Sequence, residues 1–357
     1  MTALVVYASL YPFGAWRWPA GGHLVDLLRL PWPPWLTPLD EAFNLVGYVP
    51  LGLLVYVAAA RSGLRHGAAL LAALLLPSLL SYTMEVLQNL VPTRHPSLKD
   101  WLLNSLGAFT GMLTGLLLQR TGLLDRWQRL RQRWFARRSA GALALLTLWP
   151  VGLLFPTPVP WGLGQVGERL RSTVLGLVAD VPWAEPLAQA LASPVAARPL
   201  GPLAERVASM LGLLAPVLLA YAVTRPGLRR VVLAGGAQLL GLAAMTLSTL
   251  PNFGPPHALA WLTPAASAAL LLAALAALPL ALLPERVVMG LALMLLAALV
   301  VLMSMAPTDP YFAQSLQAWE QGRFVHFHGL AQWVGWLWPF FAMAWLLARL
   351  SARGRDG

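Results

Sequence analysis

Residues 84–111, MEVLQNLVPTRHPSLKDWLLNSLGAFTG, bring together Glu85, Gln88, Arg94, Asp100 and Asn104, and Asn44 stands upstream behind Asp40 and Glu41. Two carboxylates, a guanidinium and three carboxamides can do two kinds of chemistry. In the first, Arg94 meets a phosphate in the planar fork geometry that guanidinium offers, while Asn44, Gln88 and Asn104 donate hydrogen bonds. In the second, Glu85 or Asp100 is a general base and Arg94 stabilises developing charge. No Ser, Cys or His nucleophile–base pair adjoins the cluster, and His95, next to Arg94, reads equally as a turn residue.

The spacing assigns these residues to helix faces. Ser78, Ser81, Glu85 and Gln88 are three, four and three apart and form one stripe. Asp100 and Asn104 are four apart, and Gly107, Gly111 and Gly115 continue their face in small-xxx-small steps that let another helix come close. The short connection VPTRHPSLK makes the two helices an antiparallel hairpin. Glu85 lies about six residues, roughly 9 Å, inside its helix end. A charge at that depth needs a partner, and Arg94 or Asn104 is expected to supply it. Pro50 and Gly52 predict a bend in the preceding helix. The cluster is either a buried ion-pair network that fixes how the helices meet, or an outward-facing pocket for a polar or anionic head group.

The elements that hold these residues are membrane spans. The chain has 357 residues, 58% hydrophobic and 11% charged, against about a quarter charged in soluble proteins. Apolar blocks are separated by Pro, Gly and Arg, and each approaches the roughly 17–25 residues that cross a hydrocarbon core. Spans are expected near 2–15, 43–60, 68–91, 98–119, 140–155, 207–223, 229–250, 262–281, 286–304 and 330–348. The predicted fold is an all-α polytopic membrane protein of about ten helices in two bundles. The net charge of +11 reports orientation rather than a nucleic-acid partner. Loops on one side carry Arg61, Arg65, the run from Arg120 to Arg138, Arg225, Arg229, Arg230, Arg286, Arg349, Arg353 and Arg355. That bias puts both termini in the cytoplasm. The first span, TALVVYASLYPFGAW, is the weakest, being short and containing Pro12.

The chain divides at an Arg-rich segment. Residues 1–119 form a four-span domain, 120–139 a basic amphipathic cytoplasmic linker, and 140–357 a six-span domain. In the linker, Leu123, Leu124, Trp127, Leu130 and Trp134 recur at helical spacing among arginines, so it is either a helix on an anionic leaflet or a solvated connector. Residues 156–206 and 305–329 are expected to be amphipathic segments at the outer interface, the latter with Tyr311, Phe312, Trp319, Phe324 and Phe327. The tryptophans of WRW, PWPPW and WVGWLW read as an interfacial aromatic belt. Cysteine is absent, which excludes disulfides and thiolate metal sites. His326 and His328 in FVHFHG lack a carboxylate at matching spacing and read as an interfacial pair, so no metal or other cofactor is predicted.

Asn44 in NLVGYVPLGLL, Glu85 and Gln88 as ExxQ, and Arg94, Asp100, Asn104, Gly107 and Gly111 in RHPSLKDWLLNSLGAFTG resemble the VanZ-like family over roughly residues 1–120. Many members carry a further acid three residues after the Arg, where this chain has Ser97. The resemblance implies an integral protein of the bacterial cytoplasmic membrane with a role in the cell envelope. The name-giving member is associated with resistance to the glycopeptide teicoplanin, and others resemble parts of envelope or exopolysaccharide systems. Three functions stay open. The protein binds or moves an envelope lipid or lipid-linked glycan precursor, it is a membrane-embedded hydrolase or transferase on such a substrate, or it is an assembly scaffold.

Overall fold

The computed structural model describes residues 1–10, 13, 16–18, 23–32, 38–136, 138–178, 181–192, 200–253, 258–306 and 325–355. In hydrocarbon every backbone N–H and C=O must be satisfied within the protein, and long Leu/Ala runs achieve this as helices. Regular structure among the described residues is accordingly helical, apart from one isolated antiparallel bridge between Phe135 and Thr224. The chain separates into two compact units, Met1–Arg131 and Gln132–Gly357. Seven described helices are long and apolar enough to cross a membrane, so this is an all-α multi-pass membrane protein.

The first unit contains α1 (Thr2–Leu10), the short α2 (Leu24–Leu27), α3 (Pro38–Arg61), α4 (His66–Gln88) and α5 (Leu98–Arg120), and α6 (Leu123–Trp134) begins within it. The last three before α6 are spans. Helix α1 covers nine of the residues 2–15 expected to span, and Pro12 lies outside the described residues. Helix α3 packs most extensively on α5, and glycine makes that contact possible. A Cβ on Gly107 would stand 2.0 Å from the Leu45 carbonyl oxygen, one on Gly111 1.9 Å from that of Val49, and one on Gly52 2.0 Å from that of Ala108. The expected small-residue face of α5 therefore meets α3 backbone to backbone. Small apolar cores, Leu51, Met84 and Ala108 at one level and Tyr56, Ala69 and Ala73 at another, fill the rest. Leu71, Leu75, Leu79, Leu106 and Leu117 point away from the unit, as lipid-facing residues do.

The second unit contains α7 (Ala140–Leu153), α8 (Gly167–Val178), α9 (Glu185–Ala192), α10 (Pro202–Tyr221), α11 (Leu228–Phe253), α12 (Pro264–Leu280), α13 (Glu285–Met305) and α14 (Val325–Arg355). Of these α10, α11, α13 and α14 are long enough to span, whereas α7 and α12 are apolar but shorter. Helix α10 is the centre. From Gly212 to Tyr221 it is buried on every side, against α7, α11, α12 and α13, the pattern of an all-round apolar core helix.

Three features of this unit differ from the sequence expectation. Residues 159–164 pack into the interior instead of lying at an interface: Val159, Trp161 and Leu163 are buried, Gly164 N–H donates to Gly335 O at 3.0 Å, and Gln165 Nε2 donates to Ala306 O at 2.9 Å. Irregular backbone is tolerated there because protein surrounds it. Helices α8 and α9 follow, joined by Arg171 Nε donating to Leu191 O at 2.6 Å. Trp338 belongs to the core rather than to an aromatic belt, with its Nε1 donating to Leu145 O at 2.6 Å. Trp16, Trp18 and Trp32 are exposed, as a belt requires, and Trp35 lies outside the described residues. So do Arg137, residues 193–199, and Tyr311, Phe312, Trp319 and Phe324 of the second outer segment. The side chains of His326, Phe327, His328, Arg353 and Arg355 also lie outside the description.

The third difference is Arg230. It reads as a loop charge in the sequence, yet it is fully buried within α11. Its guanidinium donates to the carbonyls of Tyr221 (2.8 Å), Thr224 (2.9 Å), Ala281 (3.3 Å) and Leu283 (2.6 Å), and it lies 5.3 Å from the centre of the Tyr221 ring. These carbonyls lie at and just beyond the C-terminal ends of α10 and α12, where intrahelical donors run out. A cation there also complements both helix dipoles.

Three outcomes are expected from this architecture. Gly111→Ala forces α3 and α5 apart and lowers thermal stability in detergent by roughly 3 kcal/mol, the upper part of the overpacking range. Arg230→Met costs about 3 kcal/mol or more by stranding buried carbonyls, and Arg230→Lys recovers only part of it because an ammonium cannot reach four acceptors. The charge bias predicts the orientation of the first unit. In intact cells, a single cysteine at exposed Ser62 is protected from impermeant thiol reagents, while one at exposed Thr93 is labelled.

Candidate functional site

The polar residues of the first unit collect where α4 ends and α5 begins. Ser97 starts α5: its Oγ accepts the Asp100 N–H at 3.1 Å, a regular N-cap. The same residue's backbone N–H donates to Glu85 Oε2 at 2.9 Å. Glu85, 4% exposed, is thus tied to the helix terminus across the hairpin, where an anion is favoured. Arg94, one of the two expected partners, acts on Glu85 through its charge, while the hydrogen bond comes from the Ser97 backbone. Asn104, also buried, donates Nδ2 to Ser81 Oγ at 2.9 Å. Arg94 donates Nη2 to Ala8 O at 2.8 Å. The loop carries Arg94 over the C-terminal turn of α1, whose last carbonyls lack intrahelical donors. Gln88 serves the same turn, with Nε2 donating to Ser9 O at 3.1 Å. Burial pushes the Arg94 pKa below its ordinary value and the Glu85 charge opposes that shift, so the two residues interact electrically. His95 is exposed.

Helix α3 supplies the third wall. Asn44 has its side chain beside the Asp100 carboxylate, and Lys99 Nζ pairs with Glu41 Oε1 at 2.6 Å near the rim. Tyr48, one turn after Asn44, is buried with its hydroxyl beside Ser81, without a hydrogen bond of normal geometry. Sequence reading missed it, although its spacing of four from Asn44 placed it on the same face. The predicted residues Asn44, Glu85, Asp100 and Asn104 therefore share one seam, while Gln88 and Arg94 line its margin and fasten α1.

The seam is not fully satisfied. Asn104 Oδ1 and Asp100 Oδ1 are both buried without a hydrogen-bond partner. Exchanging the Asn104 amide atoms would still leave one group unmatched. Among the described residues, no three His, Asp or Glu side chains stand close enough to hold a metal ion.

On the lipid-facing side of α4 and α5 lies an open groove of about 360 Å³, lined by Leu75, Leu76, Ser78, Leu79, Tyr82 and Trp101. Trp101 Nε1 donates to Ser78 O at 3.1 Å, and Ser78 Oγ and Ser105 Oγ are 2.8 Å apart. Tyr82 meets the Trp101 ring edge-on at 5.9 Å and donates its hydroxyl to Leu28 O at 2.6 Å. A hydrogen-bonding interior and an open apolar groove thus flank the same pair of helices.

Residues 3–119 match the family model described as VanZ/LLP1, a stretch that takes in α1 to α4 and nearly all of α5. That stretch, about a third of the chain, is similar to the VanZ/LLP1 family. No curated protein matches the chain, and no solved structure does.

Ser97 caps α5 without adding a charge beside Glu85, which an acid at that position would do. Ser97→Ala is expected to lower stability by about 1 kcal/mol through loss of the cap. Ser97→Asp retains the cap but destabilises through repulsion with Glu85, and Glu85→Gln relieves that penalty. Thermal unfolding of the single and double variants measures the coupling.

Proposed function

We propose that the first unit binds the polar head group of an envelope lipid or lipid-linked glycan precursor in the bacterial cytoplasmic membrane. The observation that carries this reading is the pair of buried, unpartnered oxygens, Asn104 Oδ1 and Asp100 Oδ1, in the seam that also holds Glu85 and Tyr48. Leaving a polar group unpaired away from water costs about 1–3 kcal/mol, and a hydroxyl- or amide-bearing ligand removes that cost by donating to both. The neighbouring groove suits the acyl or prenyl chain, and Arg94 at the margin suits a phosphate. Glu85 already accepts a backbone N–H, which favours recognition over general-base catalysis. The VanZ-like character of the unit ties the reading to glycopeptide susceptibility.

The test is lipid identity. The full-length protein is extracted with its surrounding membrane and its co-purified lipids are measured by mass spectrometry. The wild type is expected to enrich one polar envelope lipid over bulk membrane. Asn104→Leu and Asp100→Asn each lose that enrichment with thermal stability unchanged or raised, and both alter teicoplanin susceptibility in the host. Wild-type enrichment persisting in both variants would overturn the proposal.

A further inference from the structure

Helix α6, LLDRWQRLRQRW, has no buried residue. It presents three stripes along its length. Leu124, Gln128, Arg131 and Trp134 are half-buried. Leu123, Trp127 and Leu130 project outward at 45%, 58% and 47% exposure. Arg126, Arg129 and Arg133 form an exposed basic stripe beside them, while Asp125 and Gln132 lie on the side away from the apolar stripe. An outward row of Leu and Trp is costly in water, at about 25 cal/mol per Å² of apolar area. The charge beside it is of one sign.

The chain places this helix at the membrane surface. Its first residue follows the end of α5 after a two-residue turn, where Gly122 adopts φ +68 and donates its N–H to Gln119 O at 3.1 Å. Its far end is held to the end of another span. Phe135 bridges Thr224, Ala136 N–H donates to Val223 O at 2.7 Å, and Arg229 Nη1 donates to Arg133 O. A helix that leaves the terminus of a span through a two-residue turn, with an apolar row beside a basic one, has the pattern of a helix lying along the interface. Leu123, Trp127 and Leu130 then meet the outer part of the acyl chains, and the arginines stand at phosphate level, the arrangement of an interfacial basic helix.

We propose that α6 is a binding site for anionic phospholipid head groups, with Arg126, Arg129 and Arg133 contacting the phosphates and Leu123, Trp127 and Leu130 seated beneath them. Charge selects the occupant: four guanidiniums, three of them in the exposed stripe, against one carboxylate in the helix favour an anionic leaflet over a zwitterionic one. The site is independent of the seam between α4 and α5.

The absence of cysteine permits a direct test on the full-length protein in vesicles. A fluorophore on Leu130→Cys reports the apolar stripe, and one on Gln132→Cys reports the opposite side. In phosphatidylcholine vesicles containing about 30% phosphatidylglycerol, the Leu130 label is expected to emit blue-shifted light. Spin-labelled phosphatidylglycerol should quench it several-fold more than spin-labelled phosphatidylcholine, and high salt should weaken that preference. The Gln132 label stays water-like. The triple variant Arg126→Gln, Arg129→Gln, Arg133→Gln brings the quenching ratio near one while thermal unfolding confirms an intact fold. Equal quenching by both lipids in the wild type would reject anionic recognition. A water-like Leu130 label, or one buried but quenched by neither lipid, would place the face against solvent or protein and overturn the proposal.

Discussion

The first unit depends on how closely α3 and α5 can approach. Gly52, Gly107 and Gly111 let carbonyl oxygens of one helix occupy the space where a side chain of the other would begin. In hydrocarbon there is no hydrophobic drive to hold helices together, so packing and polar contacts must do it. The glycines supply the packing, and the polar contacts follow. Asn44 reaches Asp100, and Tyr48 reaches Ser81 and the level of Glu85, because no methyl group separates the two backbones. A wider spacing would leave the same residues in the same sequence, without a seam.

The two units stabilise buried polarity by different means. In the first, a carboxylate receives a helix-terminal N–H, and carboxamides hold a hydroxyl and stray carbonyls; some acceptors stay unmatched. In the second, every nitrogen of one guanidinium bonds a carbonyl around two helix ends. The saturated arrangement gives rigidity and nothing to bind. The unsaturated one has hydrogen-bonding capacity in reserve, the property expected of a recognition site.

What the sequence reveals follows from what periodicity can carry. The ends of α4, α5, α12 and α13 lie within a few residues of the expected spans because apolar blocks and their Pro, Gly and Arg boundaries state the bilayer constraint directly. The Ser81–Glu85 stripe and the glycine face of α5 were legible for the same reason. The N–H that Glu85 accepts was not, since it belongs to the Ser97 backbone and backbone groups have no letter. Tyr48 was missed because tyrosine in a span reads as an interfacial residue. Arg230 was read as a loop charge because it follows Arg225 and Arg229, and only tertiary contacts distinguish the buried arginine. Residues 159–164 were read as an outer segment, because their Pro and Gly content marks irregular backbone but not its depth.

The acceptors of Arg230 also set an order for biosynthesis. Tyr221 and Thr224 precede it in the chain, but Ala281 and Leu283 lie 51 and 53 residues later. While the ribosome is still making α12, α11 enters the bilayer with a guanidinium half supplied with partners. The long side chain can wait at the interface by reaching toward water. Only when α12 is complete and packed beside α10 can the charge withdraw into the protein. Commitment of α11 to its final depth is thus delayed until a later helix has been translated, and a chain released before Leu283 carries an arginine that still belongs to the membrane surface.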